Sequence, residues 1–260
     1  MKEEVHSEPR GAQGLGSRTA VVTGGAKGIG EATCRLLAAQ GFAIAIIDRD
    51  EPAAEETAKS LPSAMSLAGD VGDYHRMKEL IDRVEDEMGP VSVLVNNAGW
   101  DRVQPFLANS PSLWTDLLRI NLMGVFNLTH TVAGRMTERG AGHIVNVASD
   151  AGRVGSSGEA VYSACKGGTI AFTKSVAREV ARHGIAVNCV CPGPTSTPLL
   201  DEIKQNESAA KVMDAIVRST PTRRVTSPHE VADAIAYFAS CPPQLTGQVV
   251  SVSGGLTMVG

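Results

Sequence analysis

The residues that could do chemistry gather in SDAGRVGSSGEAVYSACKGG, residues 149–168. Tyr162 and Lys166 stand four residues apart, so on a helix they share one face. Free tyrosine has a pKa of about 10, and bringing it near 7 takes roughly 4 kcal/mol. A lysine ammonium ~5 Å away, at an effective dielectric of ~20, offers ~3 kcal/mol of that. The resulting phenolate accepts a proton from an alcohol; in reverse, the phenol protonates a carbonyl. Ser149 closes the apolar run HIVNVAS, from which its hydroxyl can hold the substrate oxygen. A Tyr-x-x-x-Lys match alone arises often by chance on helices, so the elements that position it decide its meaning.

Those elements alternate. The expected strands are TAVVTG, FAIAIID, AMSLAGD, VSVLVNN, HIVNVAS, IAVNCVC and QVVSVS. Between them lie amphipathic patterns such as GEATCRLLAAQ, YHRMKELIDRVEDEMG and YSACKGGTIAFTKSVAREVARHG. Strand–helix alternation argues for an α/β fold: a single doubly wound Rossmann-type domain with a central parallel sheet flanked by helices on both faces. No linker or repeat divides it, so residues 18–260 read as one catalytic domain and residues 1–17 as a flexible tail. Residues 195–227 form a long excursion between the last two strands, either a substrate-covering lid or a packing helix pair.

TAVVTGGAKGIGEATCRLL runs strand, glycine turn, helix, with Gly24, Gly28 and Gly30 in the turn. Glycines there let backbone approach a pyrophosphate, and the helix N-terminus offers free N–H groups with partial positive charge. The next strand ends at Asp48, which can accept hydrogen bonds from an adenosine ribose and would repel a 2′-phosphate. That repulsion is worth ~4 kcal/mol at ~4 Å. Lys27 and Arg49 would attract the phosphate instead; the balance favours NAD over NADP. The positive ring of an oxidised nicotinamide would supply the rest of the tyrosine shift.

Taken together, these motifs resemble the short-chain dehydrogenase/reductase family from Arg18 onward. TGGAKGIG, with Gly24, Lys27, Gly28, Ile29 and Gly30, is similar to its cofactor loop, and Asp70-Val71 to its adenine contact. NNAG is similar to the strand-four signature, which implies a place for Asn97 near the cofactor ribose. The resemblance implies a tetrad of Asn121, Ser149, Tyr162 and Lys166, with Asn121 supporting a water relay to the lysine. In CPGPTSTP, Thr195 and Thr197 resemble residues that hold the nicotinamide carboxamide. A homotetramer is also implied. Within the family, NNAGWD, ASDAGRVGSSGEAVYSACKGG, VCPGPT and SVSGGLTM resemble the subgroup that oxidises 2-hydroxycyclohexanecarboxyl-CoA, which implies a small-molecule acyl-CoA thioester as substrate.

Composition bounds the alternatives. A net charge of −4 offers no basic field for nucleic acid or an anionic membrane, and no apolar run is long enough to span a bilayer. Five cysteines without framework spacing imply reduced thiols and a cytoplasmic setting. Cys189 and Cys191 read as two buried residues on one strand face rather than a metal or redox pair, and no protein-held metal is expected. Trp100 and Asp101 follow NNAG and read as pocket-shaping, with an exposed loop aromatic as the alternative. Arg153 reads as a structural ion-pair partner, Arg223-Arg224 as solvated charge, and Gly167-Gly168 as a close approach to the cofactor or a second subunit. Competing functions are an NADPH-dependent 3-oxoacyl reductase and a dinucleotide-sensing binding protein. A serine hydrolase is disfavoured because no G-x-S-x-G elbow follows an expected strand.

Overall fold

The inner strands read as nearly unbroken apolar runs because helices cover both of their faces. The computed structural model describes residues 18–259; the expected N-terminal tail, 1–17, lies outside the described residues. The strands are β1 (Arg18–Thr23), β2 (Phe42–Asp48), β3 (Ala64–Ala68), β4 (Val91–Asn96), β5 (Gly142–Val147), β6 (Ile185–Pro192) and β7 (Val249–Val252). All pair in parallel, in the order β3-β2-β1-β4-β5-β6-β7. The order reverses between β1 and β4, and ligand crevices in such sheets open at the strand C-termini beside that switch.

The helices are α1 (Gly28–Ala39), α2 (Glu51–Lys59), α3 (Tyr74–Met88), α4 (Pro111–Leu118), α5 (Gly124–Arg139) and α6 (Ala151–Val154), then α7 (Ala160–Val180), α8 (Pro198–Lys204), α9 (Glu207–Ser219) and α10 (Pro228–Phe238). Alternation along β1 sets the two cores. Ala20 and Val22 pack toward Leu37 of α1 and Ile235 of α10. Val21 faces the other way, toward Met77 and Ile81 of α3 and Leu128 of α5. Asp50 and Asp73 cap α2 and α3 by accepting from backbone N–H groups. Ser227 and Glu230 form a reciprocal capping box on α10.

A buried polar ladder crosses the second core. Asn96, paired with Asn146 across β4 and β5, donates to Asn146 Oδ1 at 2.8 Å and to Thr129 at 3.1 Å. Asn146 in turn donates to Thr173 of α7 at 2.9 Å. The ladder ties α5 and α7 to the middle of the sheet, and removing a link strands buried polar atoms. Asn146→Ala should therefore destabilise the protein by about 1–3 kcal/mol, measured by urea denaturation.

Candidate active site

At the exit of β1 the chain turns through Gly24, with φ +63°. A Cβ on Gly30 would lie 2.0 Å from the Gly24 carbonyl oxygen and 2.6 Å from Asn97 Nδ2. Only glycine lets α1 start so close to the strand it follows. The N-cap of α1, Lys27, makes no side-chain cap, so the first-turn N–H groups beside Gly28 and Ile29 remain available on the cleft wall. The cleft has a volume of about 1030 Å³ and reaches from Asp48, Asp50 and Asp70 to Ser149 and Tyr162. Uncapped amides, a crowded glycine turn and a carboxylate at the end of β2 fit the pyrophosphate and ribose of a dinucleotide.

Asp48 accepts from the N–H of Ala26 and from that of Asp50, each at 3.0 Å. It shapes the loop while lining the cleft. Lys27, expected as a competitor for a 2′-phosphate, is instead hydrogen-bonded to Asp50. That bond raises the Lys27 ammonium above its usual range and, with the Ala53 N–H, lowers the Asp50 carboxyl. Arg49 is exposed on the cleft wall and makes no ion pair among the described residues. Burial alone would raise Asp70, but Arg119 and the Gly72 N–H hold it below the usual carboxylate range. Val71 lines the cleft beside it, and its carbonyl accepts from Asn127 at 2.9 Å.

The two asparagines of NNAG divide their work. Asn96 belongs to the buried ladder, whereas Asn97 donates to the carbonyls of Thr23 and Gly24, both at 3.0 Å. Asn97 thereby fastens β4 to the glycine turn. Thr195 is buried and donates to the Gly193 carbonyl, and Thr197 caps α8 through the Leu200 N–H. The Thr197 methyl sits over Gly28, where a Cβ would approach it to 3.1 Å. Gly30 and Asn121 stand one layer behind the cleft wall, and the other expected cofactor and catalytic positions line it.

At the other end, α7 places Lys166 one turn after Tyr162. Lys166 is 3% exposed, donates to the Val147 carbonyl at 2.9 Å and lies 5.6 Å from the centre of the Tyr162 ring. Desolvation lowers its ammonium below the usual lysine range. Ser149 accepts from the Ala151 N–H at 3.1 Å and lines the cleft together with Tyr162, on which its hydroxyl acts to lower the phenol. Asn121 lies in a π-helical turn, Arg119–Met123, and clasps the Trp100 loop with bonds to the Trp100 carbonyl and N–H. Beside the missing side chain of Gly99, Asn121 Oδ1 and Lys166 Nζ would lie 3.0 and 3.4 Å from a Cβ.

One expectation changes here. Tyr162 is raised above its usual range rather than lowered: burial leads, followed by the charges of Asp101 and Glu159, against the Ser149 bond. The protein's own groups thus keep a phenol at neutral pH, suited to protonating a carbonyl oxygen. A nicotinamide dinucleotide, when bound, supplies the two-electron donor or acceptor and a ring charge that changes on reaction. With such a group bound, Ser149 is placed to hold a substrate oxygen and Tyr162 to move a proton at it, with Lys166 one helical turn away at 5.6 Å from the ring centre.

Other sequence features find structural explanations. Within the chain, Gly167 and Gly168 allow close packing: a Cβ on Gly152 of α6 would lie 2.7 Å from the Gly167 nitrogen, and a Cβ on Gly168 would lie 3.2 Å from Leu122. Arg224 pairs with Glu230, as expected of a surface residue. Arg153 donates to Ser251 and to the Val259 carbonyl, binding the C-terminal segment to the serine loop. Cys189 and Cys191 are buried on β6 with sulfurs 4.0 Å apart. The Lys27–Asp50 pair and the role of Glu159 escaped the sequence reading. Asp50 carried a local signal, an aspartate just before Glu51-Pro52 at a helix start, whereas Glu159 carried none.

Because the Gly30 contact is with backbone, Gly30→Ala should push α1 away from β1. We expect dinucleotide affinity to fall at least about tenfold with a stability loss of about 1–3 kcal/mol, read by fluorescence titration and urea denaturation.

Comparison with known proteins agrees with this geometry. The short chain dehydrogenase family model matches residues 18–208. An acetoacetyl-CoA reductase from Rhizobium meliloti (strain 1021) is 38% identical over 244 residues, covering 92% of this chain and 98% of that protein. A 3-oxoacyl-(acyl-carrier-protein) reductase from Vibrio cholerae is 34% identical over 247 residues, covering 94% and 99%. A crystal structure of a variant actinorhodin polyketide ketoreductase with NADPH superposes with a TM-score of 0.87 at 36% identity, covering 92% of this chain and 97% of that one. A glycine turn, a Ser-Tyr-Lys edge and matches across nearly the whole described chain lead to one conclusion: this chain belongs to the short-chain dehydrogenase family and is an oxidoreductase of keto and hydroxy groups.

Proposed function

We propose that this protein interconverts a secondary alcohol and a ketone on a hydroxyacyl-CoA, using NAD. The observation that carries the cofactor choice is Asp48. Its carboxylate is pinned by two backbone N–H groups at the end of β2 and lines the cleft, and Asp50 beside it engages Lys27. The Asp48 carboxylate there receives a ribose hydroxyl well and a 2′-phosphate poorly. The thioester draws support from relatives named for acetoacetyl-CoA and for 3-oxoacyl chains on a carrier protein. Resemblance in the cleft-bordering segments narrows the substrate to a cyclic hydroxyacyl-CoA, with 2-hydroxycyclohexanecarboxyl-CoA as its type.

Further parts of the reading follow from it. Helices α8 and α9 act as the substrate cover, since Leu199, Ile203, Met213 and Ile216 give the cleft an apolar wall beyond Tyr162. Asn97 holds the cofactor ribose side, and Thr195 and Thr197 the carboxamide side. The protein works as a cytoplasmic homotetramer. A second reading, an NADPH-dependent 3-oxoacyl-(acyl-carrier-protein) reductase, is favoured by one observation: Arg49 stands beside Asp48 on the cleft wall, free to meet a phosphate.

Trp100 lines the cleft and gives an optical signal for binding. Titration with NADH and NADPH at one ionic strength should show at least about tenfold tighter binding of NADH, and Asp48→Ala should erase the difference. Oxidation of 2-hydroxycyclohexanecarboxyl-CoA should follow. Tighter binding of NADPH by the unaltered protein would instead establish the biosynthetic reductase reading.

A further inference from the structure

Asp101 is a cleft residue that influences Tyr162 but has no contact with the reacting oxygen in the chemistry above. It is 4% exposed, and among the described residues no donor meets either carboxylate oxygen in ordinary hydrogen-bond geometry. Its side chain lines the main cleft and also a side pocket of about 220 Å³ shared with Arg102, Glu202 and Asn206. Its neighbour is the carboxyl of Glu159, which lines the same cleft. As two carboxylates they offer each other only acceptors; one proton between them turns the contact into a hydrogen bond. Burial first, and Glu159 second, push Asp101 up to about 8.

The backbone builds this pairing deliberately tight. Gln104 donates its N–H to the Gly158 carbonyl at 2.9 Å, joining the loop after Asp101 to the turn before Glu159. Gly158 has φ +83°, and a Cβ there would lie 2.9 Å from Val103 Cγ1. The charged and titratable groups around the pair are few. Tyr162, Cys165 and Lys166 face it from α7, and Lys166 already donates to Val147. Glu202 approaches from α8 across the side pocket, while the Arg102 guanidinium lies over the Trp100 ring at 5.4 Å. No ion pair to Asp101 or Glu159 occurs among the described residues. The wall beside the reacting oxygen therefore carries two carboxyl groups, with the buried Lys166 ammonium as the cation that acts on them.

We propose that Asp101 and Glu159 form a proton-sharing carboxyl pair that sets substrate specificity, admitting a neutral acyl ester or thioester beside the reacting carbon and turning away the free carboxylate. This rests on the reading of the cleft as a hydroxyacyl site. A substrate carboxylate one or two carbons from the ketone would bring a further anion against the pair. An ester brings none. When the shared proton leaves, the pair carries two charges and the rejection deepens.

Ethyl 3-oxobutanoate and 3-oxobutanoate are matched neutral and anionic probes. In the unaltered protein, with whichever reduced dinucleotide it binds, the ester-to-acid ratio of kcat/KM should exceed about thirty. It should rise about tenfold more as pH climbs through the Asp101 value of about 8, because ionisation adds charge. Any pH effect on Tyr162 itself acts on both probes and cancels in the ratio. Asp101→Asn copies the protonated carboxyl, so it should keep the preference and lose its pH dependence. Asp101→Asn with Glu159→Gln should lose most of the preference through a lower KM for the acid. Infrared difference spectra provide a readout independent of turnover: a protonated carboxyl band titrating near 8, absent from Asp101→Asn. A flat ratio, a double variant that still prefers the ester, or no titrating band overturns the proposal. If neither probe is reduced while the band titrates as expected, the pair stands and the hydroxyacyl reading fails.

Discussion

A buried ammonium must find a partner, and the place where Lys166 finds one organises this active site. Its Nζ donates to the carbonyl of Val147 at the last residue of β5, so α7 is fixed against the C-terminal edge of the sheet. Tyr162, one turn earlier, is thereby brought over the mouth of the cleft beside Ser149, which follows β5 two residues on. The surrounding sequence accommodates that anchor. Gly152 and Gly167 let α6 and α7 touch backbone to backbone, Gly99 leaves room for the ammonium, and the π turn at Asn121 clasps the Trp100 loop behind it. A larger residue at Gly99 would press on Asn121 and Lys166 together.

The two ends of the cleft solve opposite electrostatic problems. At the β1–β2 end the carboxylates of Asp50 and Asp70 are paired with Lys27 and Arg119, and Asp48 is held by backbone N–H groups. Anionic phosphate can approach the α1 N-terminus there without meeting uncompensated negative charge next to it. At the catalytic end, Asp101 and Glu159 form no ion pair among the described residues, and burial first, then these carboxyls, favours the Tyr162 phenol. A positive charge brought into the cleft shifts that balance toward the phenolate, and its loss restores the phenol. The direction of proton movement at Tyr162 thus follows the charge of what is bound.

Much of this was legible in the sequence because it is local. Each expected strand is an apolar run, and each formed; the glycine turn, Ser149 and the Tyr162–Lys166 spacing are short-range patterns whose geometry follows from strand exit and helix periodicity. What could not be read depends on contacts between distant segments. Nothing in the order of residues tells that Lys27 reaches Asp50, or that Asp101 meets Glu159 through the Gln104–Gly158 bond. The π turn at Asn121 escapes periodicity because it lasts a single turn, too short for its altered repeat to show in the sequence. The Tyr162 shift was misjudged for the same reason: lysine was the nearest charge in sequence, but burial and two carboxylates dominate in space.

The central claim is that Tyr162 moves the proton at the substrate oxygen while the rest of the cleft holds the dinucleotide. Tyr162→Phe removes one hydroxyl from the end of a long, well-anchored helix, so it tests that claim with little structural disturbance. Single-turnover reduction of a ketone substrate should slow by about 100-fold to 10,000-fold, while the dinucleotide dissociation constant stays within about twofold. A variant that binds dinucleotide and still turns over at the unaltered rate would contradict the account and move the proton transfer to another group.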